Sequence, residues 1–408
     1  MTVLTSNEIT ITIFALFSLL LSSFIFGKLF EKIRMPRVVG EIFGGMVIGG
    51  SFIALIFPDF FNAIFNGYKN EGKVLNIFYQ LGLIFLMFSS GFNTSININK
   101  KTIKNHLLLF FGATVIPMIL AIPFVGIFEK SFIGTVDNHV SFLFVFLISV
   151  AITSIPVISK IFFDIGMMNT KFSNMVLTVS TLQDLCLWIL LNLSITTAQN
   201  GSFDLITFIT TILLTIGLLA VAKLIDYIAR RTNFKIKSNA MPLAFVILFL
   251  IVYLLSKINI NIMYSSFIGG YILKAVMQDK KEDMDKIKDF SFAFFIPVYF
   301  ALVGIQLDVI NNFSVSRFVL YFLIAFGLEF VGTFFTMLFS KLKKKTITSL
   351  AITMNARGGP GIVLATTAYS ANIINIEFFT VLIITTMLSS AIAGYWLRVF
   401  KNDIQNDG

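Results

Sequence analysis

"AITSIPVIS" (Ala151–Ser159) and "AITMNARGGPGIV" (Ala351–Val363) open alike, and each then interrupts a long apolar stretch at its centre. The first interruption is Pro156; the second is Gly358, Gly359, Pro360 and Gly361. Proline removes a backbone donor and clashes with the preceding turn, and glycine weakens a helix, so neither stretch is expected to run as one continuous helix. After each comes a polar connection and a further apolar stretch, 172–198 and 376–400. Fainter echoes precede them: "GEIFGGMVIGG" (Gly40–Gly50) matches "SFIGGYILKA" (Ser266–Ala275), and "LIFLMFSSGFN" (Leu83–Asn93) matches "PVYFALVGIQLD" (Pro297–Asp308). The chain reads as two copies of one pattern.

Of the 408 residues, 57% are hydrophobic and 13% charged, with a mean hydropathy of +0.89. A soluble domain carries about 25% charged residues, so the composition implies an all-α polytopic membrane protein. Apolar windows of spanning length fall near 8–27, 36–57, 74–92, 105–128, 140–163, 172–198, 203–228, 240–256, 259–276, 288–307, 315–340, 346–371 and 376–400, thirteen transmembrane helices in all. The first, around Ile9–Phe26, has no basic leader and no small-residue cleavage site, and is read as a retained span.

With the spans numbered in order, the side that follows odd-numbered spans takes 25 of the 31 Lys and Arg residues, Arg34, Lys100, Lys101, Lys235 and Lys237 among them. The opposite side holds only Lys69, Lys73, Lys130, Lys257 and Arg317, while Arg357 lies inside a span. That bias puts the N-terminus outside and the C-terminus in the cytoplasm. It also accounts for the net charge of +10 without a nucleic-acid partner. Cys186 is the only cysteine, which excludes an intrachain disulfide.

The two copies lie seven spans apart, an odd number, so they are expected to be inverted in the membrane: two six-helix repeats joined by span 7. Pro or Gly in one span alone would be a kink. In corresponding positions of two inverted repeats they mark the crossed discontinuous helices of a secondary transporter, with its site near the midplane.

Deep in the spans lie Asp184, Glu329 and Arg357, with Glu41 nearer the cytoplasmic end. Inverted symmetry brings the breaks of spans 5 and 12 together with spans 6 and 11 beside them, so Asp184, Glu329 and Arg357 are expected to converge. Glu329 and Arg357 have opposite sign and read as a structural ion pair. Asp184 is then left without a cation, although a carboxylate at a helix centre costs about 2.5–3.5 kcal/mol even on the insertion scale. A proton or a monovalent cation can each neutralise it, but not both together, which is the minimum requirement for antiport.

Thr153, Ser154 and the carbonyls freed by Pro156 offer oxygen ligands to sodium or potassium, or the two hydroxyls bond back to their own helix. Gln183 offers an amide beside Asp184, or a hydrogen bond across helices. Glu41 pairs with Arg37 or lines a cytoplasmic cavity, and His106 and His139 sit at span ends, too far out for a midplane relay. The motifs of intramembrane proteases are missing, so neither an enzyme nor a cofactor is expected. Sodium-coupled carriage of a small organic anion, which uses similar crossed helices, is the alternative to exchange.

"MPRVVGEIFGGMVIGG" (Met35–Gly50), "LGLIFLMFSSGF" (Leu81–Phe92), "AITSIPVISKI" (Ala151–Ile161), "LQDL" (Leu182–Leu185), "FFIPVYFALVGIQLD" (Phe294–Asp308) and "NARGGPGIVLA" (Asn355–Ala365) resemble, in this order, the monovalent cation:proton antiporters of the second superfamily, which share the sodium/hydrogen exchanger fold. The resemblance covers about Thr10 to Tyr395. It implies a homodimer in the cell membrane that serves pH homeostasis. The dimer side would be about 1–92 and 240–307, the linker helix 203–228, and a mobile core about 105–198 and 315–400. An elevator-like displacement of that core would exchange sodium or potassium for a proton. The family's ion-binding aspartate falls on Asp184, and its unwound threonine segment on Thr153 and Ser154. Electrogenic members carry two adjacent acids in span 6 and a lysine on the helix matching span 11. Here Gln183 precedes Asp184, as in the Kef-type potassium branch, and the central charge of span 11 is Glu329, which speaks against electrogenic exchange and leaves sodium and potassium both open. With Glu329 and Arg357 ionised, a site neutral with one proton or one cation gives the expectation of electroneutral one-for-one exchange.

Overall fold

The computed structural model describes residues 4–33, 35–65, 71–93, 103–168, 170–203, 205–232, 240–258, 260–277, 280–307 and 309–405; Arg34, Lys69, Lys100, Lys101, Lys235 and Lys237 of the charge count lie outside them. Apart from turns and one β-bridge, the described residues are helical. The chain begins with α1 (Ser6–Lys32), α2 (Arg37–Ile48), α3 (Ile53–Ile56), α4 (Pro58–Phe65) and α5 (Glu71–Asn93). The fourth apolar window is segmented into α6 (Ile103–Phe110), a π-helical turn (Phe111–Val115), α7 (Ile116–Ala121), a 3-10 turn (Ile122–Phe124) and α8 (Val125–Phe132). Pro117 and Pro123, each lacking an N–H, fall at these irregularities.

Next come α9 (His139–Val150) and α10 (Ile155–Asp164), the halves of the first broken stretch, then α11 (Lys171–Asn200), α12 (Leu205–Thr232), α13 (Ala240–Lys257) and α14 (Ile262–Val276). The window expected at 288–307 is divided at Phe294 into α15 (Lys281–Ala293) and α16 (Phe295–Ile305). The chain continues with α17 (Val315–Met337), the second pair of halves α18 (Lys344–Met354) and α19 (Gly358–Ser370), α20 (Ile376–Val399) and α21 (Lys401–Gln405). Ten helical stretches among the described residues are long and apolar enough to cross a membrane. The three windows without such a stretch are 259–276, where α14 is shorter than a span, 346–371, which is split into α18 and α19, and 203–228, where the apolar stretch counted is only Phe208–Leu218 of α12. Several starts are written into the sequence: Asn138, Ser154, Thr170, Ser314 and Asn375 each accept a hydrogen bond from the backbone N–H three residues on, satisfying a donor the helix cannot.

The chain divides into two compact units. The first comprises Met1–Ile33, Arg37–Thr94 and Leu205–Asp308. Its core gathers Ile84, Phe85, Phe88, Ala244, Leu248 and Leu273 from α5, α13 and α14. The α5–α14 crossing is backbone against backbone: a Cβ on Gly91 would overlap the Phe267 carbonyl, and one on Gly270 the Phe88 carbonyl. Elsewhere in this unit Ser23 Oγ donates to the Pro297 carbonyl at 3.1 Å.

The second unit comprises Arg34–Pro36, Ser95–Asp204 and Val309–Gly408. In it, the loop before α9 and the loop after α19 are stitched together. Ile133 and Ile374 form the β-bridge, Gly134 N donates to the Ile373 carbonyl at 2.9 Å, and Asn375 N to the Phe132 carbonyl at 3.0 Å. Phe128, Phe132, Phe142, Phe146, Tyr321 and Phe378 stack beneath that seam, the closest pair being Phe132 and Phe378 at 4.5 Å between ring centroids. One half of each broken stretch is therefore anchored at the same place.

The α5–α14 crossing yields a test. Gly270→Ala is expected to lower the thermal midpoint in detergent, at a cost of about 1–3 kcal/mol for overpacking. Gly217→Ala, where a Cβ meets nothing within 4 Å, is expected to stay within about 0.5 kcal/mol of the parent. Equal midpoints for the two variants would refute the close-packed crossing.

Candidate functional site

The site lies wholly in the second unit, where the two interruptions meet. Helix α9 ends at Val150, Ala151–Ser154 run without helical structure, and α10 starts at Ile155 with Pro156 in its first turn. In the other stretch α18 ends at Met354 and α19 starts at Gly358 with Pro360 in its first turn. The break expected at Gly358–Gly361 thus falls one turn earlier, at Asn355–Arg357. Proline is tolerated in the first turn of a helix, and what it removes is the donor for the carbonyl four residues back. Those carbonyls are Ile152 for Pro156 and Ala356 for Pro360. The two gaps satisfy each other: Ser154 N donates to the Ala356 carbonyl, and Thr153 Oγ1 to the Met354 carbonyl, both at 2.6 Å.

Glycine is required at 358. Its φ is +39°, and a Cβ there would strike Ser154 and Val157. Its N–H donates to Ser390 Oγ at 3.1 Å. Ser154 Oγ caps α10 by accepting from Val157 N at 3.4 Å, the local bonding weighed above for these hydroxyls.

Arg357 and Glu329 are together. An Nη2–Oε2 distance of 3.0 Å joins side chains that are 2% and 0% exposed. The guanidinium also donates to the carbonyls of Ser149 (3.1 Å), Val150 (3.0 Å) and Ala325 (3.1 Å). Ser149 and Val150 form the C-terminal end of α9, whose carbonyls lack helical donors and carry the negative end of the helix dipole. The planar fork of arginine fills several of these acceptors at once, which a lysine cannot do. Thr153 Oγ1 lies 3.4 Å from Glu329 Oε1, and Tyr321 donates its hydroxyl to Ser149 Oγ at 2.6 Å.

Asp184 lies near the middle of α11 and is 0% exposed, and neither of its carboxylate oxygens has a hydrogen-bond partner among the described residues. Its neighbour Gln183 is equally buried, and its Nε2 donates to the Ala113 carbonyl at 3.1 Å and to the Ala151 carbonyl. Of the peripheral candidates, Glu41 is paired with Arg37 at 2.9 Å, and His139 Nδ1 faces Glu129 at 2.5 Å. Among the described residues no three His, Cys, Asp or Glu side chains form a metal-ligating group. Asp184 is thus a buried carboxylate without a hydrogen-bond or ion-pair partner among the described residues. Sequence reading did not find the Tyr321–Ser149 bond or the double engagement of Gln183. The one available signal for the latter was Pro117, four residues after Ala113.

A family model described as the transmembrane sodium/hydrogen exchanger matches residues 16–401. The chain is 25% identical to the K(+)/H(+) antiporter 1 of Saccharomyces cerevisiae, over 99% of this chain and 48% of that one. It is 26% identical to the Na(+)/H(+) antiporter NhaS4 of Synechocystis, over 90% of this chain and 91% of that one. The chain spans about half the length of the yeast relative and nearly all of the cyanobacterial one. Its fold is similar to that of the sodium proton antiporter MjNhaP1 from Methanocaldococcus jannaschii, with a TM-score of 0.63 and 18% identity over 98% of this chain and 99% of that one.

The buried pair gives a second test. Glu329→Gln leaves Arg357 charged and without its acidic partner, the only one among the described residues, with an expected cost of roughly 3–5 kcal/mol. Arg357→Leu strands Glu329 and the Ser149 and Val150 carbonyls at the end of α9, and is expected to cost more. The double variant is expected to be more stable than the two single losses summed. Additivity in that cycle, measured by thermal unfolding in detergent, would argue against coupling.

Proposed function

The chain belongs to the sodium/hydrogen exchanger family, and from that premise we propose that this multi-pass membrane protein is a secondary active antiporter, exchanging sodium or potassium for a proton at Asp184. The observation that carries the reading is the isolation of this carboxylate: buried, without a hydrogen-bond partner among the described residues, and next to Gln183, whose amide reaches the edge of the first break. A charge held this way in an apolar interior has to be neutralised. One proton does it, one monovalent cation does it, and the two exclude each other.

The same electrostatics sets the ratio. Glu329 and Arg357 cancel, so the loaded site is neutral with either cargo and one cation exchanges for one proton. The membrane potential acts only on net charge moved, about 2.3 kcal/mol per charge per 100 mV, and so does no work over this cycle. The mobile core would be about 105–198 and 315–400 and the dimer side about 1–92 and 240–307, working as an elevator in a homodimer with the N-terminus outside. Gln183 before Asp184 favours the potassium-type branch. The relatives' names include both K(+)/H(+) and Na(+)/H(+) antiporters, which keeps both ions in the test.

Purified protein in sealed vesicles, given a pH step and then each ion in turn, is expected to show cation-driven proton movement. Asp184→Asn keeps the side-chain shape but removes the titrating charge, and is expected to abolish that movement while the protein stays folded. Full exchange by a well-folded Asp184→Asn protein would sink the mechanism. On a solid-supported membrane no cation-dependent transport current is expected. A steady current would make Glu329 a second proton carrier.

A further inference from the structure

The π-helical turn Phe111–Val115 sits in a helix with no part in the charge network, and the exchange mechanism makes no use of it. Its cause is local. Pro117 stands four residues after Ala113 and has no N–H, so the Ala113 carbonyl is denied its ordinary helical donor. A second carbonyl is in the same position for a different reason: Ala151 is the cap residue of α9, and the chain beyond it has left the helix. These carbonyls belong to different helices, and both accept from one nitrogen, Gln183 Nε2. Gln183 Oε1, by contrast, is buried with no partner among the described residues. The amide is therefore oriented by its donors: turning it over would set its oxygen against two carbonyl oxygens.

We propose that Gln183 is a positioning residue of the Asp184 site, its amide standing in for the two helical donors that Pro117 and the first break remove. Two bonds to two different helices fix the rotation of α11 about its axis, and with it the direction in which the adjacent Asp184 side chain leaves the helix. The same wiring excludes a second acid at this position, because a carboxylate would bring only lone pairs to the two carbonyls. The single charge of the site then follows from a proline on another helix. This inference rests on the reading of Asp184 as the exchange residue, but its structural half can be tested without transport.

Gln183→Met keeps the length and loses both donors. Hydrogen–deuterium exchange on the purified variant is expected to rise in the segment 111–118 and in 151–154 relative to the parent. In vesicles the cation KM is expected to rise about tenfold, the scale of an unmade buried hydrogen bond, with kcat changed less. Adding Pro117→Ala restores an N–H opposite Ala113, so the double variant is expected to regain protection in 111–118 and part of the lost affinity. A merely space-filling Gln183 predicts the reverse: no change in either segment for Gln183→Met, and Pro117→Ala adding its own defect. Either result overturns the proposal. If the parent protein moves no protons in response to cations, the antiport reading fails, and the exchange and rescue measurements still decide the role of Gln183.

Discussion

A backbone carbonyl buried away from water must find a donor inside the protein, and three prolines in the second unit each take one away. Pro117, Pro156 and Pro360 leave the carbonyls of Ala113, Ile152 and Ala356 without their helical partners. In a hydrocarbon surrounding each such group costs several kcal/mol if left open. The Ala356 carbonyl is closed by the backbone of the opposite break, through Ser154 N, and that of Ala113 by the side chain of Gln183. Each repeat thus holds a defect that the other repeat, or a neighbouring helix, repairs. Neither broken stretch is a stable element by itself, and the crossing exists because both are present.

Charge is then added to a frame already short of donors. Arg357 serves three carbonyls and one carboxylate from a single planar group, so it does for the end of α9 what water would do at a surface. Glu329 lets that cation be kept, since an unpaired guanidinium in this interior would cost more than the bonds it makes. Thr153 touches both systems, donating to the Met354 carbonyl and lying near Glu329. The pair is therefore part of the scaffold of the crossing. Asp184 stands outside these bonds: neither of its carboxylate oxygens has a partner among the described residues.

The coarse plan was legible because it rests on local, repeated signals. Windows of spanning length, two matched interruptions and three deep charges are all properties of short segments. Arg357 and Glu329 could be paired on paper because opposite signs leave few other arrangements inside a membrane. What escaped was anything set by a distant partner or by an effect displaced along the chain. The second break was expected on Gly358–Gly361, where the unusual residues are, whereas proline acts on the carbonyl one turn back. The division at Phe294 and the β-bridge between Ile133 and Ile374 join apolar residues with no signature of their own. A hydrogen bond across helices was one reading of Gln183, but its two acceptors could not be named, because they are carbonyls 70 and 32 residues away.

The bonding pattern also bears on how a buried site could face two sides of a membrane. One route is to open the crossing itself, first one way and then the other. That would break the Ser154–Ala356 and Thr153–Met354 bonds and strand four polar groups where no water replaces them. It would also part loops joined by a backbone bridge and the aromatic stack of Phe128, Phe132, Phe142 and Phe146 with Phe378. The alternative is to keep the crossing closed and move it as one body, so that access changes while the internal bonds do not. Only the second route leaves every repaired carbonyl repaired throughout the cycle. The cost of stranding a donor in an apolar interior therefore favours, for this chain, the elevator displacement proposed above over a local gate at the breaks.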